Sequence, residues 1–159
     1  MDKFKMGFEP MIFRRPHKEY RNQPVDAVVN GEVIHFKSKL EYRWANYLET
    51  LKRGGIIKDW SYETHTFKFD NIGVEKWKVD FVIRNINNTF EYHECKGHFE
   101  KRDLDKLKCL FEFRPEVQLT YIFGAKPKLT PNKIDWLNRV CQRVIFNGNT
   151  IVNRSPKYF

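Results

Sequence analysis

Asp80, Glu94 and Lys96 combine two hard oxygen ligands with an ammonium group, a set that suits a divalent metal ion and a phosphate ester. Their neighbours say how they meet. Trp77, Val79, Phe81 and Ile83 alternate with Lys78, Asp80, Val82 and Arg84, the period-two pattern of a strand. Asn85-Ile86-Asn87-Asn88 reads as a turn, and Thr89 to Lys96 as the returning strand, broken by Gly97. With Ile86-Asn87-Asn88 as a three-residue loop, Asp80 lies directly opposite Glu94, where Cβ atoms stand about 4.5 to 5.5 Å apart. Like charges so placed destabilise a sheet unless a cation sits between them. Lys96, two residues beyond Glu94, points to the same face. Mg²⁺ binds through one or two carboxylates plus phosphate, and a lysine beside it can orient or deprotonate an attacking water. The plain alternative is a surface hairpin in which Lys96 pairs with Glu94 or Asp80.

Other elements must hold this hairpin. After the turn at Asn30-Gly31, Glu32 to Phe36 reads as a short strand. Ser38 opens a helix on which Leu40, Trp44, Tyr47, Leu48 and Leu51 recur at helical spacing, and Gly54-Gly55 stops it. Ile56 to Phe69 reads as one or two strands. A helix is expected over Arg102 to Phe113, closed by Pro115, and a strand over Val117 to Phe123. Thr130-Pro131 starts a last helix that is expected to run to about Val144. The order predicts an α/β fold with a mixed central sheet flanked by helices. Residues 1–30 read as a basic arm mixing Pro10, Pro16 and Pro24 with Arg14, Arg15, Lys18 and Arg21. The catalytic domain is expected over 31–145, and 146–159 as a basic, loosely held tail.

An Asp at the end of an alternating strand, a Glu-x-Lys at the end of the next, and a carboxylate-bearing helix before both resemble the PD-(D/E)XK nuclease superfamily, the restriction-endonuclease-like fold. The motif lines stand as Val79-Asp80-Phe81 and Glu94-Cys95-Lys96-Gly97, with Val79 where the family has proline. The resemblance covers about residues 34 to 123. It implies Mg²⁺-dependent hydrolysis of DNA, with Mn²⁺ able to substitute. It assigns Glu41, Asp80, Glu94 and Lys96 to catalysis, and Asp80, Glu94 and the Cys95 backbone carbonyl to the metal. Glu41 is assigned to a second metal or to contact through water. Within the superfamily the pattern is similar to small phage nucleases, including one type of Holliday-junction resolvase and a family with a Phe-x-Ser-x-x-Glu opening, here Phe36 to Glu41. Phage head-completion nucleases and the nuclease subunit of some transposases share the layout. A junction resolvase implies a homodimer, since a four-way junction is two-fold symmetric and needs paired cuts. Ser38-Lys-Leu-Glu41 is equally a capping box, in which Glu41 reaches back to the Ser38 amide.

The charge balance fits a polyanionic partner: the net charge is +9 and the isoelectric point about 9.5. It is uneven: residues 1–60 carry +4, residues 61–123 carry −1 and residues 124–159 carry +6. Basic flanks around an acidic centre suit a protein that grips phosphates and holds a cation. Lys39, His98, Lys101, Arg102 and Lys106 are the candidates for holding the DNA backbone. A solvated helix face, with Asp103 and Asp105 balancing the lysines, is the simpler account of the last three.

His93-x-Cys95-x-x-His98 with Cys109 invites a zinc site, but it lacks a Cys-x-x-Cys knuckle, and His93 and Cys95 would face away from Glu94. The three cysteines show no paired spacing, as free thiols of a reducing cytosol would. No apolar run is long enough to span a bilayer. Trp44, Trp60, Trp77 and Trp136 read as core residues.

Overall fold

The computed structural model describes residues 22–71 and 73–159. Most of the expected N-terminal arm lies outside the described residues. Its last part does not behave as an arm: β1 (Val25–Val29) pairs antiparallel with β2 (Glu32–Phe36) across a two-residue turn. Asn30 and Gly31 both have positive φ, the type I′ geometry that fits the twist of a hairpin.

Helix α1 (Lys39–Arg53) starts on Ser38, whose side chain accepts the Glu41 amide. It ends in a Schellman motif: Gly55, at φ +70°, donates to the Lys52 carbonyl, and Ile56 donates to Leu51. Strands β3 (Ile57–Tyr62) and β4 (Thr66–Lys68) follow, then β5 (Lys76–Lys78), β6 (Phe81–Asn85) and β7 (Phe90–Lys96). Helix α2 (Lys101–Phe113), β8 (Leu119–Phe123), α3 (Pro131–Val140), β9 (Arg143–Ile145) and α4 (Gly148–Asn153) complete the described chain.

The fold is mixed α/β. Its main sheet has five strands in the order β3-β6-β7-β8-β9. The first three pair antiparallel, and β8 and β9 add on parallel. One face buries Leu104, Leu107 and Leu110 of α2 and Leu137 of α3 against Leu119, Tyr121 and Phe123. The other buries Trp44, Ala45 and Leu48 of α1 and Val152 of α4 against Phe81, Ile83 and Ile122. Covered on both sides, β8 is buried at every residue, which is why its sequence carries no charge.

Three expectations change here. The run from Trp77 to Ile83 is not one strand: β5 pairs with β4, and β6 with β3. Tyr62 faces Phe81 and Thr66 faces Lys78, so residues 63–65 oppose only Val79 and Asp80. That is a β-bulge, and Glu63 takes a positive φ within it. The bulge turns the chain over. Trp77 and Val79 bury in the α2 face, whereas Phe81 and Ile83 bury in the α1 face.

The last long helix ends at Val140, not Val144, because Arg143–Ile145 form the outer strand of the sheet. The C-terminal segment is not loosely held either. The Tyr158 amide donates to Asn46 Oδ1 at 2.7 Å, and the Phe159 ring packs on Trp60. Among the described residues, no helix is long and apolar enough to cross a membrane.

Candidate active site

The β6–β7 hairpin has the expected register. Phe81 faces His93 and Arg84 faces Phe90. Asn85 exchanges backbone bonds with Thr89 and Asn88, and Asn88 takes a positive φ, so Ile86-Asn87-Asn88 is the three-residue loop. The same register carried one step further sets Asp80 across from Glu94, at the mouth of the sheet where the bulge ends the ladder.

Hydrogen bonds fix the two carboxylates. Asp80 Oδ2 accepts the Cys95 amide at 2.8 Å, in place of the strand partner that β6 no longer supplies. Glu94 Oε2 accepts the Asp80 amide at 3.3 Å and the Trp77 indole N–H at 3.2 Å. Since the Cys95 N–H points to the Asp80 side of β7, its carbonyl points to that side too, as in any extended strand. Both carboxylates are buried, Asp80 at 8% exposure and Glu94 at 2%. Burial, then the charges of Glu94 and Glu41, hold the Asp80 carboxyl well above its ordinary pKa. Burial also raises Glu94, against the pull of Lys96 and Lys106.

Lys96 stands between two carboxylates, with Nζ 3.5 Å from Glu94 Oε1 and 3.4 Å from Asp103 Oδ1. Burial works to lower its pKa, but Glu94, Asp103 and Asp80 outweigh that and raise it. Asp103 is itself anchored, because its Oδ2 accepts the Glu100 amide at 3.0 Å at the start of α2. Asp103, expected only to balance the charge of a solvated helix face, is buried. Its signal was the i, i+3 spacing to Lys106, which turns both toward the sheet while Lys101 and Arg102 turn away.

Glu41 is buried at the start of α1. Its Oε2 accepts from the Lys37 amide at 3.0 Å and from the Tyr62 hydroxyl at 2.5 Å, and its Oε1 accepts from Ser38 Oγ at 3.0 Å. The capping role is thus present in altered form: the side chain reaches the Lys37 amide, not that of Ser38. Burial and the Glu41 carboxylate push the Tyr62 phenol far above its usual pKa, so it remains a donor.

These parts open into one cleft of about 1010 Å³ whose walls include Glu41, Asp80, Glu94, Cys95 and Lys96. Of the expected backbone-holding residues, Lys39, His98 and Lys106 line it. Lys101 and Arg102 do not: both are exposed, and Lys101 pairs with Asp105 one helical turn on. Lys37, Arg43, Lys78, Lys126 and Lys128 also line the cleft. They were missed because they come from four separate segments, and only the fold gathers them. Among the described residues the cleft walls carry eight Lys and Arg against three carboxylates.

No group of three or more His, Cys, Asp or Glu among the described residues is placed to enclose a metal alone. The donor set still fits a hard ion that keeps part of its shell as water and phosphate, since Mg²⁺ needs only one or two carboxylates. The like-charged, buried pair of Asp80 and Glu94 is what such an ion would relieve. His93 takes no part: it faces α1, and its Nδ1 accepts the Trp44 indole N–H at 3.1 Å. The Cys95 thiol is buried on that side as well. No protein-family model matches the chain, and no curated protein matches it.

Proposed function

We propose that this chain is a metal-dependent DNA endonuclease of the PD-(D/E)XK type on a restriction-endonuclease-like fold. The observation that carries the reading is the convergence of Asp80, Glu94 and Lys96 at the open end of the sheet, beneath a cleft whose walls are otherwise basic. A pure structural role does not account for two buried carboxylates facing one another with their ionisation opposed. A pure DNA-binding surface has no use for carboxylates facing phosphate.

Asp80, Glu94 and the Cys95 carbonyl would hold Mg²⁺ or Mn²⁺, with Glu41 at a second ion or acting through water. A bound ion supplies Lewis acidity at the phosphoryl oxygen and a water of lowered pKa. Lys96, steadied by Asp103, holds an ammonium where negative charge grows on the phosphorus oxygens. Lys37, Lys39, Lys126 and Lys128 hold the flanking phosphates. Such contacts carry no base sequence, so selectivity rests on the shape of the DNA.

The test is incubation of purified protein with Mg²⁺ and labelled linear duplex, single strand, flap and four-way junction. Metal-dependent cleavage of at least one, abolished by chelator, is the expected result. Intact substrates throughout would refute the reading.

A further inference from the structure

Beside the cleft, the β4–β5 ribbon carries a charge pattern that the catalytic reading leaves unused. Its inner face, Phe67 and Trp77, is buried in the core. Its outer face, Thr66, Lys68, Lys76 and Lys78, is exposed. The register sets Lys68 directly opposite Lys76. Opposed like charges destabilise a strand pair. Lys78 has relief in Glu63, 3.1 Å away, but neither Lys68 nor Lys76 has an ion pair among the described residues. An anion lying along the ribbon would remove that penalty.

The ribbon is also placed to serve the cleft. Lys78 lines the cleft two residues before Asp80. At about 3.4 Å per residue, Lys76 lies about 7 Å farther out on the same face, with Lys68 beside it. A row of ammonium groups thus leads away from the carboxylates, on a ribbon held rigid by two fully buried aromatic rings. A lipid surface would call for apolar side chains among the lysines, and this face offers only Thr66.

We propose that the outer face of β4–β5 binds the phosphate backbone of a DNA duplex arm leaving the cleft, through Lys68 and Lys76. This rests on the nuclease reading for the identity of the polyanion, but its test does not use cleavage. Full-length protein in Ca²⁺ is titrated with fluorescently labelled duplexes, one of about 10 base pairs and one of about 30, across a range of salt. For Lys68→Ala/Lys76→Ala we expect about tenfold weaker binding of the long duplex and a salt slope smaller by about two. The short duplex, filling only the cleft, should bind nearly as before. The melting temperature should be unchanged or slightly raised, because the variant removes an opposed pair. The control is Lys58→Ala/Arg84→Ala, which removes the same charge near the hairpin loop at the opposite end of the sheet. Equal weakening by both variants, or wild-type affinity and slope in the ribbon variant, would overturn the proposal while leaving cleavage untouched. A wild-type protein that cuts no DNA would instead count against the nuclease reading itself.

Discussion

The backbone amide of Asp80 donates to Glu94 Oε2 at 3.3 Å, so Asp80 helps to fix the carboxylate that opposes its own. That geometry has a cost in the metal-free protein. The Asp80 carboxyl is raised by burial and then by Glu94 and Glu41. A carboxyl with a folded pKa above its unfolded value, about 3.9, stabilises the fold fully below that pH. The contribution is lost as pH rises through the folded value. Asp80→Asn keeps an acceptor for the Cys95 amide and removes the charge. In chelator it should melt higher than wild type at pH 7, and the gap should close toward pH 4. Each pH unit of separation between the two pKa values corresponds to about 1.4 kcal/mol. A variant that melts lower at pH 7 would contradict this account.

Glu41→Gln separates catalysis from capping. Glutamine retains an oxygen for the Lys37 amide, so the loss of stability should be small, about 1 kcal/mol. Cleavage should fall by about 100-fold if the second oxygen and its charge act at the reacting centre. Tyr62→Phe removes a donor to Glu41 Oε2 and one of two acceptors for the Lys37 amide, which keeps Glu41, and should cost less than tenfold in kcat. Full activity in Glu41→Gln would end its catalytic assignment.

Asp103 should act through Lys96. Asp103→Asn can still accept the Glu100 amide, so α2 should start as before. With the ion pair to Lys96 gone, kcat should drop about 10- to 100-fold, with little change in KM. Equal losses in kcat/KM and melting temperature, with kcat itself intact, would make Asp103 a structural residue only.

Much of the site was legible because it depends on local rules. The three-residue loop and strand alternation set the register of β6 and β7, and a cap plus paired glycines set the limits of α1. The bulge opposite Asp80 was not legible. Trp77, Val79, Phe81 and Ile83 alternate without interruption, and the reversal of face comes from one extra residue on the other strand, between Tyr62 and Thr66. Strand β9 was missed for a similar reason. Arg143–Ile145 is short, partly exposed and contiguous with a helical pattern, and only pairing with β8 makes it a strand. Lys37, Lys78 and Lys126 converge by topology alone, a relation that no window of sequence contains.

His93 predicts an acid limit to stability. Burial lowers its pKa, against the pull of Glu91, and its Nδ1 must stay unprotonated to accept from Trp44. A histidine with a depressed folded pKa stabilises fully above its unfolded value, about 6.5, and less as pH falls toward the folded one. His93→Gln should flatten that part of the stability profile in denaturant titrations between pH 7 and pH 5. An unchanged profile would place the acid sensitivity elsewhere.

The proposed role of Asp80 and Glu94 is to hold the metal at which DNA is cut. It is tested most directly by measuring single-turnover cleavage in Mg²⁺ for wild type, Asp80→Ala and Glu94→Ala on the best substrate of the panel, with binding followed in Ca²⁺ on the same DNA. Each variant should lose at least about 100-fold in rate while its salt-sensitive affinity for DNA, measured in Ca²⁺, stays near that of wild type. An Asp80→Ala protein that cuts at the wild-type rate would contradict the account.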